Sequence, residues 1–336
     1  MSESDNVPAS SHSAQQGSGS AVVAPCEAQA SPAATLTVAA LLSQARARGL
    51  DKLDAALLLG HVLGVGRTWL LAHDDAAVDA EAAARFVGAC AQRREGVPLA
   101  YLVGEREFHG LNLRLTPDVL VPRPDTETLV DWAIEWLQGP MAALPHPEVA
   151  DLGTGSGAIA LAVAHAFPRA RVSAVDCSAA ALAVARANGT RLGLGVDWLQ
   201  GDWFAPLAGR RFDLVLSNPP YIDADDPHLA SLRAEPRHAL TPGQDGLTAL
   251  RHLCNAASAH LAAGGVLMLE HGHLQGPAVR DLLARAGLEV LGTRRDLAGH
   301  ERCTAGRRAA PTPDAAGPLA YPDGPVDISK SEEKTR

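Results

Sequence analysis

The strongest constraint on the fold of this chain is a repeated alternation of short apolar segments with helical ones. From residue 148 onward, strand-like segments are separated by stretches whose apolar residues recur every three or four positions. The strand-like segments are EVADLGTG, ARVSAVDCS, GVDWLQGD, RFDLVLSNPP, GGVLMLEHG, GLEVLGT and ERCTAGRR. This alternation is typical of an α/β fold whose mostly parallel sheet is covered by helices on both faces. We therefore expect a seven-stranded, mostly parallel sheet.

The rest of the chain divides into regions of different composition. Residues 1–34 and 309–336 are rich in small and polar residues, and we expect them to be disordered tails. Residues 35–98 have helical periodicity and predict a small helical domain. Residues 99–122 are short, alternating segments with Gly and Pro, which predicts a β-hairpin linker. The α/β domain then extends over residues 123–308.

Composition limits the kinds of partner and the cellular compartment that we expect for the protein. The formal net charge of −9 disfavours a stable nucleic-acid complex, which depends on basic residues that release counterions. The five cysteines are far apart and form no CxxC pair, so we interpret them as reduced thiols of a cytoplasmic protein. We find neither an apolar run of membrane-spanning length nor the pattern of a secretion signal. Without a heptad pattern, we expect a monomer.

A glycine-rich turn follows the first strand of the alternating region. It consists of Gly153, Thr154, Gly155, Ser156 and Gly157, and an apolar helix comes next. Glycines let the backbone turn sharply and approach a ligand closely, while the helix amides point at it. The turn predicts a nucleoside-type ligand, although its glycines could instead only pack helix on strand. The GxGxG spacing differs from the GxGxxG of dinucleotide-binding proteins, which argues against a nicotinamide dehydrogenase.

Three more residues follow neighbouring strands and are expected at the same edge of the sheet. Asp176 ends the second strand, where a carboxylate suits the two hydroxyls of a ribose; the alternative is a helix N-cap. Asp202 and Trp203 follow the third strand. The Asp202 carboxylate could accept a hydrogen bond from an exocyclic amine, and the Trp203 indole could form an apolar surface against a purine. The alternative is that Trp203 is purely structural.

The fourth strand ends in Asn218, Pro219, Pro220 and Tyr221. Neither proline has an N–H to donate to a sheet, so this turn is stiff and its carbonyls are free to accept. A planar –NH₂ group could donate its two hydrogens to the Asn218 side-chain oxygen and the Pro219 carbonyl. Tyr221 could then pack against this group. Such dipoles would stabilise the charge that develops on the nitrogen during alkylation. The alternative is an ordinary proline-rich turn.

These motifs resemble those of a Rossmann-like methyltransferase that uses S-adenosylmethionine. With YLVGEREFHGL, LTPDVLVPRPDTE and LEHG, the chain is similar to the peptide chain release factor glutamine methyltransferases, the PrmC/HemK family, over residues 36–308. The resemblance implies methylation of the side-chain nitrogen N5 of the glutamine in the Gly-Gly-Gln motif of class 1 release factors. It implies a helical domain that helps grip the release factor.

By position, the resemblance also assigns roles to the motif residues. Residues 153–157, Asp176, Asp202, Trp203 and Asn218 would hold the cofactor, with Trp203 near its adenine. Residues 218–221 would bind the glutamine side chain and carry the reaction. The alternatives are a glutamine methyltransferase acting on a ribosomal protein, an adenine or guanine amino methyltransferase, and a non-catalytic binding module.

The PRPDTE segment and the histidines have no clear role in the sequence. Asp125 and Thr126 precede an apolar helical stretch and are expected to supply the helix cap. Arg123 and Glu127 could line the site or brace the linker, and Phe108 suits packing better than a lid over the site. A metal site at the histidines, His109, His271 and His273, is disfavoured because no companion ligands occur at metal-binding spacing.

Overall fold

The computed structural model describes residues 36–310, so the expectation for the tails falls almost wholly outside the described residues. The first part consists of helices α1 (Val38–Ala47), α2 (Lys52–Leu63), α3 (Arg67–Ala72), α4 (Ala80–Arg94) and α5 (Leu99–Val103). These helices bury their own apolar core, centred on Leu41, Leu58 and Phe86. The predicted N-terminal helical domain is confirmed.

Local sequence signals explain where these helices begin and end. Asp51 accepts a hydrogen bond from the backbone N–H of Leu53 at 2.7 Å and so caps the start of α2. Gly64 ends that helix in the left-handed conformation, with φ of 69°, which glycine adopts without strain. Asp79 caps α4 in the same way as Asp51, through the Ala82 N–H at 2.7 Å.

An antiparallel hairpin of β1 (Glu105–Phe108) and β2 (Leu111–Arg114) follows the helices. Its turn places His109 and Gly110 at positive φ. The hairpin is shorter than the linker predicted over 99–122, because α5 occupies the first residues of that range. Phe108 is 1% exposed and packs into the core of the following domain.

The second part is built on a seven-stranded sheet with the order β5-β4-β3-β6-β7-β9-β8. Its strands are β3 (Glu148–Leu152), β4 (Arg171–Asp176), β5 (Asp197–Gln200), β6 (Phe212–Ser217), β7 (Leu261–Glu270), β8 (Glu289–Arg295) and β9 (Glu301–Arg307). Strands β3 to β7 pair in parallel, and β9 is antiparallel to both β7 and β8. The predicted mostly parallel sheet is confirmed.

Helices cover both faces of this sheet. They are α6 (Glu127–Gln138), α7 (Ala158–Ala166), α8 (Ala179–Leu192), α9 (Arg237–Leu240), α10 (Thr248–His260) and α11 (Gly276–Arg285). Successive strand residues point to opposite faces, so Val149 belongs to the core beneath α6 and α7, and Ala150 to the core beneath α10 and α11. None of the described helices has the length and hydropathy that a membrane span requires.

The predicted cap of α6 is wrong. A 3₁₀ turn over Pro124–Thr126 leads directly into the helix, and Thr126 already has helical dihedral angles, φ −66° and ψ −22°. An N-cap residue needs an extended backbone to turn its side chain toward the helix amides, so neither side chain caps α6. Asp125 instead lies 3.3 Å from the Arg302 guanidinium. The Thr126 hydroxyl is therefore available for another partner.

Candidate functional site

All of the predicted site residues lie at one edge of the sheet. Residues 153–157 follow β3, Asp176 is the last residue of β4, residues 202–203 follow β5, and residues 218–221 follow β6. These four strands are neighbours in the sheet and run in parallel, so their carboxyl ends meet at a single crevice. Ligands of open α/β sheets bind at such an edge.

Asp176 is bound to the glycine-rich turn. Its Oδ2 accepts from the Gly155 N–H at 2.8 Å, and its Oδ1 accepts from the Ser178 N–H at 2.9 Å. Ser178, and not Asp176, caps helix α8, since its hydroxyl accepts from the Ala181 N–H at 3.1 Å. The N-cap alternative for Asp176 is therefore excluded, and the carboxylate holds the turn at the crevice.

The glycines of the turn differ in their surroundings. At Gly157 a Cβ would come within 3.0 Å of Leu161 and 3.1 Å of Trp198, so this glycine allows helix α7 to pack closely. A Cβ on Gly155 would meet no atom within 4 Å, although its φ of 56° is left-handed. A Cβ on Gly153 would lie 3.4 Å from the Trp203 ring. Gly155 thus forms the open part of the turn, whereas Gly153 lies against Trp203.

Trp203 and Asp202 lie beside this turn. Trp203 is half-buried against Gly153 and has a φ of 45°, which is unusual for a residue with a Cβ. A strained backbone of this kind persists where surrounding structure holds it, and functional crevices are common places for it. Asp202 is exposed next to it. The structure thus brings Trp203, the glycine turn and Asp176 to one side of the crevice.

Asp151 is a polar residue of this side that sequence analysis missed. It is fully buried; Oδ2 accepts from the Thr154 hydroxyl at 2.6 Å and the Ala160 N–H at 3.2 Å, while no described residue bonds to Oδ1. Burial raises its pKa to about 7, against the lowering effect of those hydrogen bonds. An acid inside an apolar strand, just before the glycines, was the available signal.

The other side of the crevice is a cavity of 830 Å³. Residues 218–221 form one wall, and the residues that face them come from distant parts of the chain. They include Arg123, Asp125, Leu240, His273, Gln275 and Arg302. The cavity is thus lined by the predicted motif and by charged residues that its pattern did not identify.

Asn218 has a defined orientation in this wall. Its Nδ2 donates to the Thr126 hydroxyl at 3.1 Å. Within residues 36–310 no protein group donates to the Asn218 Oδ1 or to the Pro219 carbonyl. Two acceptors are therefore available next to each other, as the stiff turn predicted.

Tyr221 rests on a second buried carboxyl that sequence analysis missed. The Tyr221 hydroxyl donates to Glu270 Oε1 at 3.1 Å, and the Gln275 side chain donates to the Tyr221 carbonyl at 3.0 Å. Glu270 is fully buried at the end of β7, and burial raises its pKa to about 7 although the Thr126 and Tyr221 hydroxyls and the charge of Arg302 lower it. A charged residue ending an apolar strand at this edge was again the available signal.

The two residues of the PRPDTE segment with open roles brace different parts of the molecule. Arg123 lines the cavity and also forms a 2.5 Å ion pair with Glu235, whose side chain is 2% exposed. Glu127 accepts from the His109 N–H at 3.1 Å and thereby holds the hairpin turn against α6. Arg123 thus both lines the site and braces the chain, whereas Glu127 braces the linker.

His271 is fixed by the sheet rather than aimed at the crevice. Its Nε2 lies 2.8 Å from the Thr304 hydroxyl and its Nδ1 lies 2.9 Å from the Gly272 carbonyl. Burial lowers its pKa, which favours the neutral ring. Between residues 36 and 310 no group of three or more His, Cys, Asp or Glu side chains is placed to hold a metal ion.

A glycine-rich turn bonded to a carboxylate, next to two acceptors without a protein donor among residues 36–310, is the arrangement expected of a Rossmann-like N-methyltransferase. The sequence comparisons agree with this class. Residues 34–104 match the family described as "PrmC N-terminal domain", and residues 127–281 match "Methyltransferase small domain". Together the two matches cover most of the described chain.

Curated relatives narrow the class further. The chain is 52% identical to the release factor glutamine methyltransferase of Bordetella pertussis over 261 residues, which are 77% of this chain and 95% of that protein. It is 49% identical to the Burkholderia pseudomallei enzyme of the same name (78% and 94% covered) and 41% identical to the Escherichia coli one (79% and 95%). The chain belongs to the release factor glutamine methyltransferase family, which confirms the resemblance seen in its motifs.

The cofactor of this class is S-adenosylmethionine, and the residues at the crevice fit it. Gly155 leaves the turn open to close approach, the Asp176 carboxylate lies beside the turn, and Trp203 lies against Gly153 as an apolar surface. The Asp151 oxygen without a protein partner suits a cationic ligand nearby. These features agree with a ligand that combines a nucleoside with positive charge.

Proposed function

We propose that this protein methylates the side-chain nitrogen of the glutamine in the Gly-Gly-Gln motif of class 1 peptide chain release factors. The single observation that carries the chemistry is the arrangement at Asn218, where the amide hydrogens are turned to Thr126 and the oxygen is left without a protein donor. Family membership supplies the class of substrate. No feature of the described residues favours a ribosomal protein or a nucleic acid over it.

The acceptors at the turn suit the weak nucleophile of this reaction. An amide nitrogen has a delocalised lone pair, so it must be held with that lone pair directed at the methyl group. We assign the Asn218 Oδ1 and the Pro219 carbonyl to the two amide hydrogens, and Tyr221 with Pro220 to the wall around the planar group. Orientation of this kind replaces much of the entropy that an encounter in solution would cost.

The charge change during transfer also favours this site. When bound, S-adenosylmethionine supplies a methyl group on a positively charged sulfur. As the amide nitrogen forms its bond to carbon it gains positive charge, and the two oxygen dipoles at residues 218 and 219 stabilise that charge. The extra proton leaves the nitrogen after transfer, so no general base has to act first. No such base is needed from Glu270, which is occupied by Tyr221.

For the cofactor side we assign residues 153–157, Asp176, Asp202 and Trp203. The support is local: the turn is open at Gly155, Asp176 is bonded to its backbone, and the Trp203 ring lies against Gly153. Asn218 stands between this side and the cavity, since β6 lies next to β3. We add Asp151 to the set because one of its oxygens has no protein partner among the described residues.

We assign the helical N-terminal domain to gripping the release factor. It exposes large apolar side chains that its own core does not use: Leu71 is 75% exposed and Leu53 is 45% exposed. We also propose that the protein acts as a monomer in the cytoplasm without a stable nucleic-acid partner. The net charge of −9 and the four described cysteines, none of them in a disulfide, support this assignment.

Mass spectrometry on a purified class 1 release factor tests the proposal. After incubation with this protein and S-adenosylmethionine, we expect one added methyl group on the peptide that contains the Gly-Gly-Gln motif. A release factor whose motif glutamine is changed to alanine is the matched control and should stay unmodified. An unmodified wild-type glutamine, with cofactor binding intact in calorimetry, would contradict the proposed substrate and direct the search to ribosomal proteins.

A further inference from the structure

The Asn218 amide could face the substrate in either of two ways, and only one of them is productive. A primary amide presents an acceptor oxygen and a donor NH₂, which differ by a rotation of half a turn. If the proposed function holds, the substrate also presents an NH₂ group, so the Asn218 oxygen must face the cavity. The side chain is only partly buried, so packing alone does not fix this choice.

Thr126 makes the contact that holds the amide. Its hydroxyl accepts from Asn218 Nδ2 at 3.1 Å, although the two residues are 92 positions apart in the chain. Thr126 is 4% exposed and sits at the end of the 3₁₀ turn, where it does not cap α6. A hydroxyl can donate as well as accept, however, so this contact by itself would tolerate the flipped amide.

The structure shows the accepting form of the hydroxyl. Asn218 Nδ2 is the group that faces Thr126, and no group among residues 36–310 donates to Asn218 Oδ1. The amide oxygen is therefore left for the substrate.

We propose that Thr126 is a positioning residue for methyl transfer, which holds the Asn218 amide with its oxygen toward the substrate. This gives a physical role to the threonine of the PRPDTE segment, which lies far from the turn in sequence.

The pair Thr126→Val and Thr126→Ser tests this role. Valine keeps the shape of the side chain but removes the hydroxyl, so the amide loses its preferred orientation. We expect kcat and kcat/KM for the release factor to fall together by about tenfold in Thr126→Val, with KM unchanged, because the lost interaction acts in the transition state. Thr126→Ser keeps the hydroxyl and should stay within about threefold of wild type.

A double-mutant cycle distinguishes positioning from a loss of packing. If Thr126 acts through Asn218, adding Thr126→Val to Asn218→Ala should cause almost no further loss of turnover, which a sensitive radiolabelled methyl donor can measure. Cofactor affinity, measured by calorimetry, should be the same in Thr126→Val and in wild type. If Thr126→Val lowered turnover by the same factor in wild type and in Asn218→Ala, Thr126 would only support the fold.

Thr126→Ala gives an independent test should Thr126→Val fail to fold. It also removes the hydroxyl that accepts from Asn218, and it introduces no branched side chain. We expect about a tenfold loss of kcat there as well. Full turnover in Thr126→Val or in Thr126→Ala, beside an active wild type, would overturn this inference alone. An inactive wild type would overturn the proposed function and this inference with it.

Discussion

The two sides of the crevice are built in different ways. On the cofactor side, the hydrogen bonds join residues that are close in sequence. The Thr154 hydroxyl donates to Asp151 and the Gly155 N–H donates to Asp176, and all of these residues belong to one β3-α7-β4 unit. On the substrate side, Asn218 depends on Thr126, and Tyr221 depends on Glu270, residues that are brought together only by the sheet. A motif therefore describes the first side well and the second side only in part.

The largest expected effect is on the substrate side. Asn218→Ala removes an acceptor for the amide hydrogens, and the loss of one such preorganised dipole in other enzymes lowers kcat by about 10²–10³. Cofactor affinity should fall much less than turnover, because Asn218 is only one member of the cofactor set and the glycine turn and Asp176 are untouched. Single-turnover methylation of the release factor and calorimetry with S-adenosylmethionine measure the two effects separately. A variant with full turnover would contradict the role of this acceptor.

The converse change is expected on the cofactor side. Asp176→Ala removes the partner of the Gly155 and Ser178 N–H groups and the proposed acceptor for ribose hydroxyls. We expect the Kd for the cofactor to rise by about ten- to a hundredfold, which is ~1.4 to 2.7 kcal/mol. Ser178→Ala is a matched control, since it removes the cap of α8 and should affect stability but not affinity. If both variants lost affinity equally, Asp176 would act only by supporting the turn.

The same contrast explains how much of the molecule was predictable. Strand–helix alternation and local motifs identified all seven strands and placed residues 153–157, Asp176 and residues 218–221 at one edge. The cap of α6 was wrong because the rule for caps considers only neighbours in sequence, whereas the tertiary contact with Asn218 uses the Thr126 hydroxyl. Glu270 was overlooked because the partner that explains it, Tyr221, lies in the turn after β6, far from Glu270 in sequence.

The buried acids of the two sides make stability depend on pH. The pKa of Asp151 is raised from 3.8 to about 7, so the folded protein binds this proton more tightly than the unfolded chain does. Its contribution to the free energy of unfolding is therefore full below about pH 4 and is lost as the pH rises to about 7.

Asp151→Asn removes this dependence. In urea unfolding of cofactor-free protein, the free energy of unfolding of the variant relative to wild type should rise by about 4 kcal/mol between about pH 4 and pH 8, because the pKa of Asp151 lies about three units above its ordinary value and each unit corresponds to about 1.4 kcal/mol. Glu270, whose pKa is raised from 4.5 to about 7, should give the same sign in Glu270→Gln. Because Asp151 bonds to Thr154 of the glycine turn on the cofactor side, whereas Glu270 bonds to Tyr221 on the substrate side, saturating S-adenosylmethionine should reduce the effect for Asp151 more than for Glu270. If the free energies of unfolding of variant and wild type changed with pH in parallel, Asp151 would be ionised in the folded protein over this whole pH range.

The smallest effect is expected outside both sides, at the hairpin. Glu127 accepts from the His109 N–H, where the backbone has a φ of 48°, so Glu127→Ala should lower the free energy of unfolding by about 1 kcal/mol through the loss of that hydrogen bond. Glu127→Gln keeps an acceptor and should lose about half as much. Turnover should change by less than about twofold in both, because neither side of the crevice contacts this carboxylate. A large loss of kcat with normal stability would instead place Glu127 on the substrate side. The whole PRPDTE segment would then belong to the side that is built from residues distant in sequence, in contrast to the cofactor side.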